Sequence, residues 1–75
     1  MKEKIITMLE EIHSGVDYES ARNLVSEGVL DSIDVNVLIA ELEDAFNIEI
    51  GMDYMEKKNF DSVDAICQMV EALHK

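Results

Sequence analysis

The sequence predicts an all-α fold, a small bundle of three main helices plus one short helix. Three observations carry that prediction. Apolar residues recur at helical spacing in three separate stretches. Cap and breaker residues punctuate those stretches at Gly15, Asp31, Gly51 and Asp61-Ser62. The chain has 75 residues, of which 48% are apolar. That supports one small core and argues against intrinsic disorder despite the charge.

The first helix is expected from about Lys2 to His13, with Ile5, Ile6, Leu9 and Ile12 as its buried stripe and Gly15 as its stop. Residues 16–30 then form a long connection. Tyr18, Leu24, Val25, Val29 and Leu30 can pin it to the core, and Gly28 provides a turn. Connections of this length in small domains are usually functional or partly helical.

The second helix starts at Asp31 or Ser32. Asp31 is a good N-cap, and Asp34 lies in the first turn, where negative charge meets the positive end of the helix dipole. Val35, Leu38, Ile39, Leu42 and Phe46 face the core. The opposite face carries Ile33, Asn36, Val37, Ala40, Glu41 and Asp44. Ile33 and Val37 are thus apolar, exposed and one turn apart, directly beyond Ser32, which suggests a small docking surface.

A second connection, residues 47–60, is expected to hold one short helix around Asp53 to Lys58. Asp61 or Ser62 caps the last helix, and Phe60 staples that corner from outside. Val63, Ile66, Cys67, Val70 and Leu73 form the last stripe. Cys67, the lone cysteine, reads as a buried structural thiol.

Size and charge narrow the function. Residues 1–75 make one domain, with little room for the walls of a catalytic cleft. The formal net charge is −11, and no Lys or Arg occurs from Asn23 through Glu56. Such a tract disfavours nucleic acid and anionic membranes and favours steering toward basic protein partners. No signal peptide and no membrane-spanning run is present, so the chain reads as a cytoplasmic monomer.

Ser32 is the leading candidate for chemistry. A serine at a helix start is exposed, and spare N–H groups there favour a phosphate. Serine is also a common cap, so the residue alone decides nothing. No general base lies within the motif. His13 and His74 stand at helix ends, far from Ser32 in sequence. That pattern suits a serine modified by another enzyme, and no catalytic or metal-binding residue is assigned.

Leu30-Asp31-Ser32-Ile33, followed by an acidic amphipathic helix ending Glu41-Leu42-Glu43-Asp44-Ala45-Phe46, resembles the acyl carrier protein family. The resemblance covers nearly the whole chain, from the long first loop to the final helix near Asp61-Ser62-Val63. It implies that Ser32 is esterified by 4'-phosphopantetheine from coenzyme A, whose terminal thiol carries an acyl or aminoacyl group as a thioester. It implies partners too: a phosphopantetheinyl transferase, a loading ligase, and downstream acyltransferases or synthases with basic docking patches. Asp31, Ile33, Asp34, Val37, Glu41 and Asp44 would be the recognition residues, and Asp31 and Asp34 would keep the arm off the helix end.

Two departures bear on cargo. Gly28-Val29-Leu30 sets the glycine further from the serine than in the commonest fatty-acid carriers, and the segment from Ile50 to Val63 is slightly longer. Both lean toward stand-alone carriers of the D-alanyl type or of specialised pathways, and fatty-acid or polyketide cargo stays open beside D-alanine. Two other classes compete. A calcium-binding loop starting at Asp31 would put Ile33 third and Leu42 twelfth, where oxygen ligands are needed. An armless acidic helical adaptor would use Ser32 only as a cap.

Overall fold

The computed structural model describes residues 1–74. It contains four α-helices: α1 (Lys2–Ile12), α2 (Ser32–Phe46), α3 (Lys57–Phe60) and α4 (Val63–Leu73), with a single 3-10 turn at Met52–Tyr54. No strand occurs among the described residues. α1 packs against α2 and α4, and α3 against α4. The Cα radius of gyration is 11.0 Å, close to the roughly 11 Å expected for a compact chain of this length.

The three long helices bury the stripes their spacing predicts. Ile5 and Leu9 of α1, Leu38 and Leu42 of α2, and Ile66 and Val70 of α4 are inaccessible to solvent. Each such side chain contributes about 1.5–3 kcal/mol by leaving water. Met8 and Met69 join this core as well, although neither was in the predicted stripes. Methionine is flexible enough to fill the gaps between branched side chains. Ile6, Ile12, Val35, Phe46 and Leu73 of those stripes lie at the core margin, half-buried.

The long connection between α1 and α2 is irregular but tightly anchored. Tyr18, Leu24 and Leu30 are buried within it. The Tyr18 hydroxyl donates to the carbonyl of His13, the residue that ends α1. Burial, then the negative charges of Asp34 and Glu10, push the Tyr18 phenol above its ordinary value. Gly28 has φ +81°, a backbone conformation in which a side chain would be strained.

Two expectations about the second connection are corrected. The single short helix expected around Asp53 to Lys58 is two pieces, the 3-10 turn and α3, because Glu56 between them is extended. Phe60 is not an external staple. It is 2% exposed and belongs to the core. Asn47, in the left-handed region at φ 54°, ends α2. The Glu43 carboxylate then accepts from the Ile50 N–H at 2.9 Å and folds the outgoing chain back.

Ser62 is the N-cap of α4, accepting from the Ala65 N–H at 3.1 Å. Asp64 in the first turn of α4 pairs with Lys2 at 3.6 Å and Arg22 at 3.8 Å. All three are exposed, so these pairs add little stability. Cys67 is half-buried, not fully enclosed as expected. Burial, then Asp64 and Glu71, push its thiol up, with the N-terminus and Lys2 opposing. Among the described residues, no helix is long and apolar enough to cross a membrane.

Candidate functional site

The site is built where the long connection enters α2. Leu24 and Leu30, both buried, anchor the two ends of a tight loop, and the Leu30 N–H donates to the Leu24 carbonyl at 2.9 Å. Inside it, Glu27 N–H donates to Asn23 at 2.8 Å and Gly28 N–H to Val25 at 3.1 Å. The positive φ of Gly28 lets the chain reverse and deliver Asp31 to the helix start.

Asp31 is extended, at φ −91° and ψ −177°, and caps α2. Its Oδ1 accepts from the Asp34 N–H at 2.8 Å, and Asp34 Oδ2 accepts in return from the Asp31 N–H at 3.4 Å. This reciprocal arrangement is a capping box. The Val35 N–H donates to the Asp31 carbonyl at 3.0 Å. Capping therefore falls to Asp31, and the Ser32 hydroxyl stands outside it. Ser32 is the first residue of α2 and is exposed. Its own N–H and that of Ile33 lie beyond the cap bonds, at the positive end of the dipole.

Ser32 stands on the rim of a cavity of about 410 Å³. Val35 and Ile39 of α2 line one side. Val25 and Leu30 of the loop, with Met55 and Phe60 near α3, line the rest. The walls are mainly apolar, while Asp31, Glu56 and Lys57 bring charge to the lining. A second cavity, of about 490 Å³, lies on the α1 side among Glu3, Glu10, Asp17 and Glu19. It is larger, but it shares no residue with the first, and the serine is not part of it.

The other residues singled out in the sequence fall along the outer side of α2. Ile33 is 71% exposed and Val37 45%. Asp44 is exposed, while Glu41 and Asp34 are half-buried. Ile33, Val37, Glu41 and Asp44 follow helical spacing, so they make one stripe running away from Ser32. Asp34 sits apart from that stripe in role, because its carboxylate is turned back onto the Asp31 N–H.

Asp61 is the residue that sequence reasoning missed. It is not the cap of α4, which leaves its carboxylate free to reach the loop before Ser32. Oδ1 accepts from the N–H groups of Val25 and Ser26 at 2.9 and 3.0 Å, and Oδ2 from the Ser26 hydroxyl at 2.8 Å. Its carbonyl accepts from the Leu24 N–H at 2.9 Å. Partial burial works against ionisation. The hydrogen bonds from Ser26 and Val25, with the charge of Lys57, outweigh it and hold the carboxyl below the ordinary aspartate value. No local pattern signals this contact, since the partners lie 35 and 36 residues away.

An exposed hydroxyl outside the capping bonds, beside a mainly apolar cavity, is accessible to modification by a partner. The comparisons agree with that reading. Residues 3–70 match the family model described as the phosphopantetheine attachment site. The D-alanyl carrier protein of Lactococcus lactis subsp. cremoris (strain MG1363) is 35% identical over 74 residues, covering 95% of this chain and 92% of that protein. The D-alanyl carrier protein of Lactococcus lactis subsp. lactis (strain IL1403) is 34% identical over the same coverage. The chain belongs to the phosphopantetheine-binding carrier protein family. The cofactor of this family is covalently bound 4'-phosphopantetheine. The site fits it: the helix start offers a free hydroxyl and unused N–H groups for a phosphodiester, and the groove leaves room beside them.

Proposed function

We propose that Ser32 is the attachment residue and that the protein, as a single carrier domain over residues 1–75, presents acyl groups to partner enzymes. The observation that carries this reading is the division of labour at the start of α2. Asp31 supplies the cap, and Ser32, beside it, keeps an exposed hydroxyl. Attachment forms a bond from Ser32 Oγ to the phosphorus that bears the pantetheine, and the nucleotide half of coenzyme A leaves. The serine proton passes to a base of the transferase, because this chain has none in the motif. The arm supplies the terminal thiol on which cargo is held as a thioester. In this reading the protein performs no catalysis of its own.

The partners are a phosphopantetheinyl transferase, a loading ligase and downstream acyltransferases or synthases. Asp31, Ile33, Asp34, Val37, Glu41 and Asp44 are the proposed recognition residues. Exposure of the Ile33–Val37 pair and of Asp44 supports them.

The apolar groove beside Ser32 favours an acyl chain as cargo, since burial of methylene groups there is favourable by about 0.8 kcal/mol each. The names of the relatives favour a second reading, in which the cargo is D-alanine. The ammonium of D-alanine gains nothing from apolar walls.

Intact mass after incubation with coenzyme A, magnesium and a broad-specificity transferase tests the first step. Wild type gains one phosphopantetheine and Ser32→Ala gains none. A folded wild-type chain that stays unmodified across several transferases makes the armless adaptor the better reading. Loading the modified chain with fatty acyl and D-alanyl ligases then separates the two cargos.

A further inference from the structure

Ser32 is placed by a path of hydrogen bonds that begins on the other side of the groove. Asp61, at the junction of α3 and α4, holds the loop, and the loop leads into the start of α2. The Asp61 carbonyl accepts from Leu24, and the Leu24 carbonyl accepts from Leu30, one residue before the cap. The Asp61 carboxylate adds three bonds to Val25 and Ser26. Val25 and Leu30 of the loop line the groove, and so does Phe60, next to Asp61. One carboxylate therefore ties the loop to the α3–α4 junction, and each of the two contributes to the lining beside the serine.

We propose that Asp61 is a positioning residue for the modification of Ser32, acting through the loop of residues 24–30. The inference rests on Ser32 being the attachment residue. Asp61 does not line the cavity beside Ser32, so it acts by placing the loop. Val25 and Ser26 present adjacent N–H groups to one oxygen, so the loop has one register on the α3–α4 junction while that oxygen is there. Without it, loop residues 25–29 keep only their internal turns and the Leu24 anchor. Asp31 and Ser32 then inherit the looseness of the segment that delivers them. A nucleophile displaced by about 1 Å reacts up to a hundredfold more slowly. Binding to the transferase would change less, because the hydrogen bonds of Asp61 go to the loop and not to the outer stripe of α2.

The test uses the full chain as wild type, Asp61→Ala, Asp61→Asn, Ser26→Ala and the Ser32→Ala control, each checked by far-UV circular dichroism and melting. Steady-state modification is followed by intact mass with coenzyme A and magnesium. Amide exchange at Val25 and Ser26 is measured on the same preparations. Asp61→Ala is expected to keep its helices, to exchange faster at both amides, and to lose kcat on the order of tenfold, with KM for the carrier changed by less than about twofold. Asp61→Asn retains an oxygen for the two N–H donors and restores most of kcat. Ser26→Ala removes one of the three side-chain bonds and gives a smaller loss of the same kind, which decides the matter if Asp61→Ala does not fold.

Fast exchange at Val25 and Ser26 with wild-type kcat overturns the proposal. So does a loss that appears in KM alone, or one that Asp61→Asn fails to rescue. A wild-type chain that gains no mass overturns the assignment of Ser32 and this inference with it. A wild-type chain that gains mass beside an unimpaired Asp61→Ala overturns this inference alone.

Discussion

At the residue scale the decisive pair is Asp31 and Ser32. Both residue types are favoured N-caps, so the sequence alone admits either as the cap. The structure gives the task to Asp31 through its bond to the Asp34 N–H at 2.8 Å. This assignment has a measurable consequence. Asp31→Ala is expected to cost about 1 kcal/mol, lowering Tm by roughly 4–8 °C for a chain of this size. Ser32→Ala is expected to stay within about 0.5 kcal/mol of wild type. Equal losses in a thermal melt would instead make the serine a second cap. Ile33 is a separate case. At 71% exposure, Ile33→Ala should leave the urea midpoint unchanged while weakening partner docking in a titration with the transferase. A large loss of stability would put Ile33 in the core, against its position in the structure.

At the scale of elements, the junction between α3 and α4 does more than connect them. Asp61 ends α3 as its C-cap and holds the loop before α2 through its carboxylate. Its folded carboxyl titrates below its unfolded value. The sign of the pH dependence follows: stability from this group is fully present above the unfolded value, about 3.9, and is lost as pH falls through the folded one. Asp61→Asn should therefore flatten the acid limb of a urea-midpoint profile below about pH 4. An unchanged acid limb would mean the loop bonds do not depend on the charge. The same junction shows what could be read from the sequence. The stripes Ile5–Leu9, Leu38–Leu42 and Ile66–Val70 were legible because a helical period is local. The start of α2 at Asp31-Ser32 was legible for the same reason, though which of the two caps it was not. The reach of Asp61 was not, because a contact across 35 residues leaves no local pattern. The interruption at Glu56 was not legible either, since charged residues such as Lys57 and Lys58 fit a helix or a turn equally. Phe60 was misplaced because a residue just before a cap can lie inside or outside, and only packing against α4 decides.

At the scale of the whole molecule, charge acts on folding and on association in opposite directions. A net charge of −11 on 75 residues opposes compaction by self-repulsion. The same field would draw in the basic partner proposed above and raise its encounter rate. The exposed Asp44 and the half-buried Glu41 sit on the stripe beyond Ser32, so they lie where such a partner is proposed to dock. Reversing either charge should then move the two properties apart. Glu41→Lys and Asp44→Lys are each expected to slow association with the transferase several-fold at low salt, measured by stopped flow. Neither substitution should lower stability, because each relieves repulsion, and the lysine stem can lie along the helix surface. The wild-type rate should fall with salt and converge on that of the variants near 1 M, where the screening length is about 3 Å. A variant that associates slowly at every salt concentration has lost shape, not steering. A variant that associates at the wild-type rate at low salt places the docking surface elsewhere. Slower association with equal or greater stability is the one combination that a damaged fold cannot produce, and it is the outcome expected if the acidic face of α2 guides the carrier to its partners.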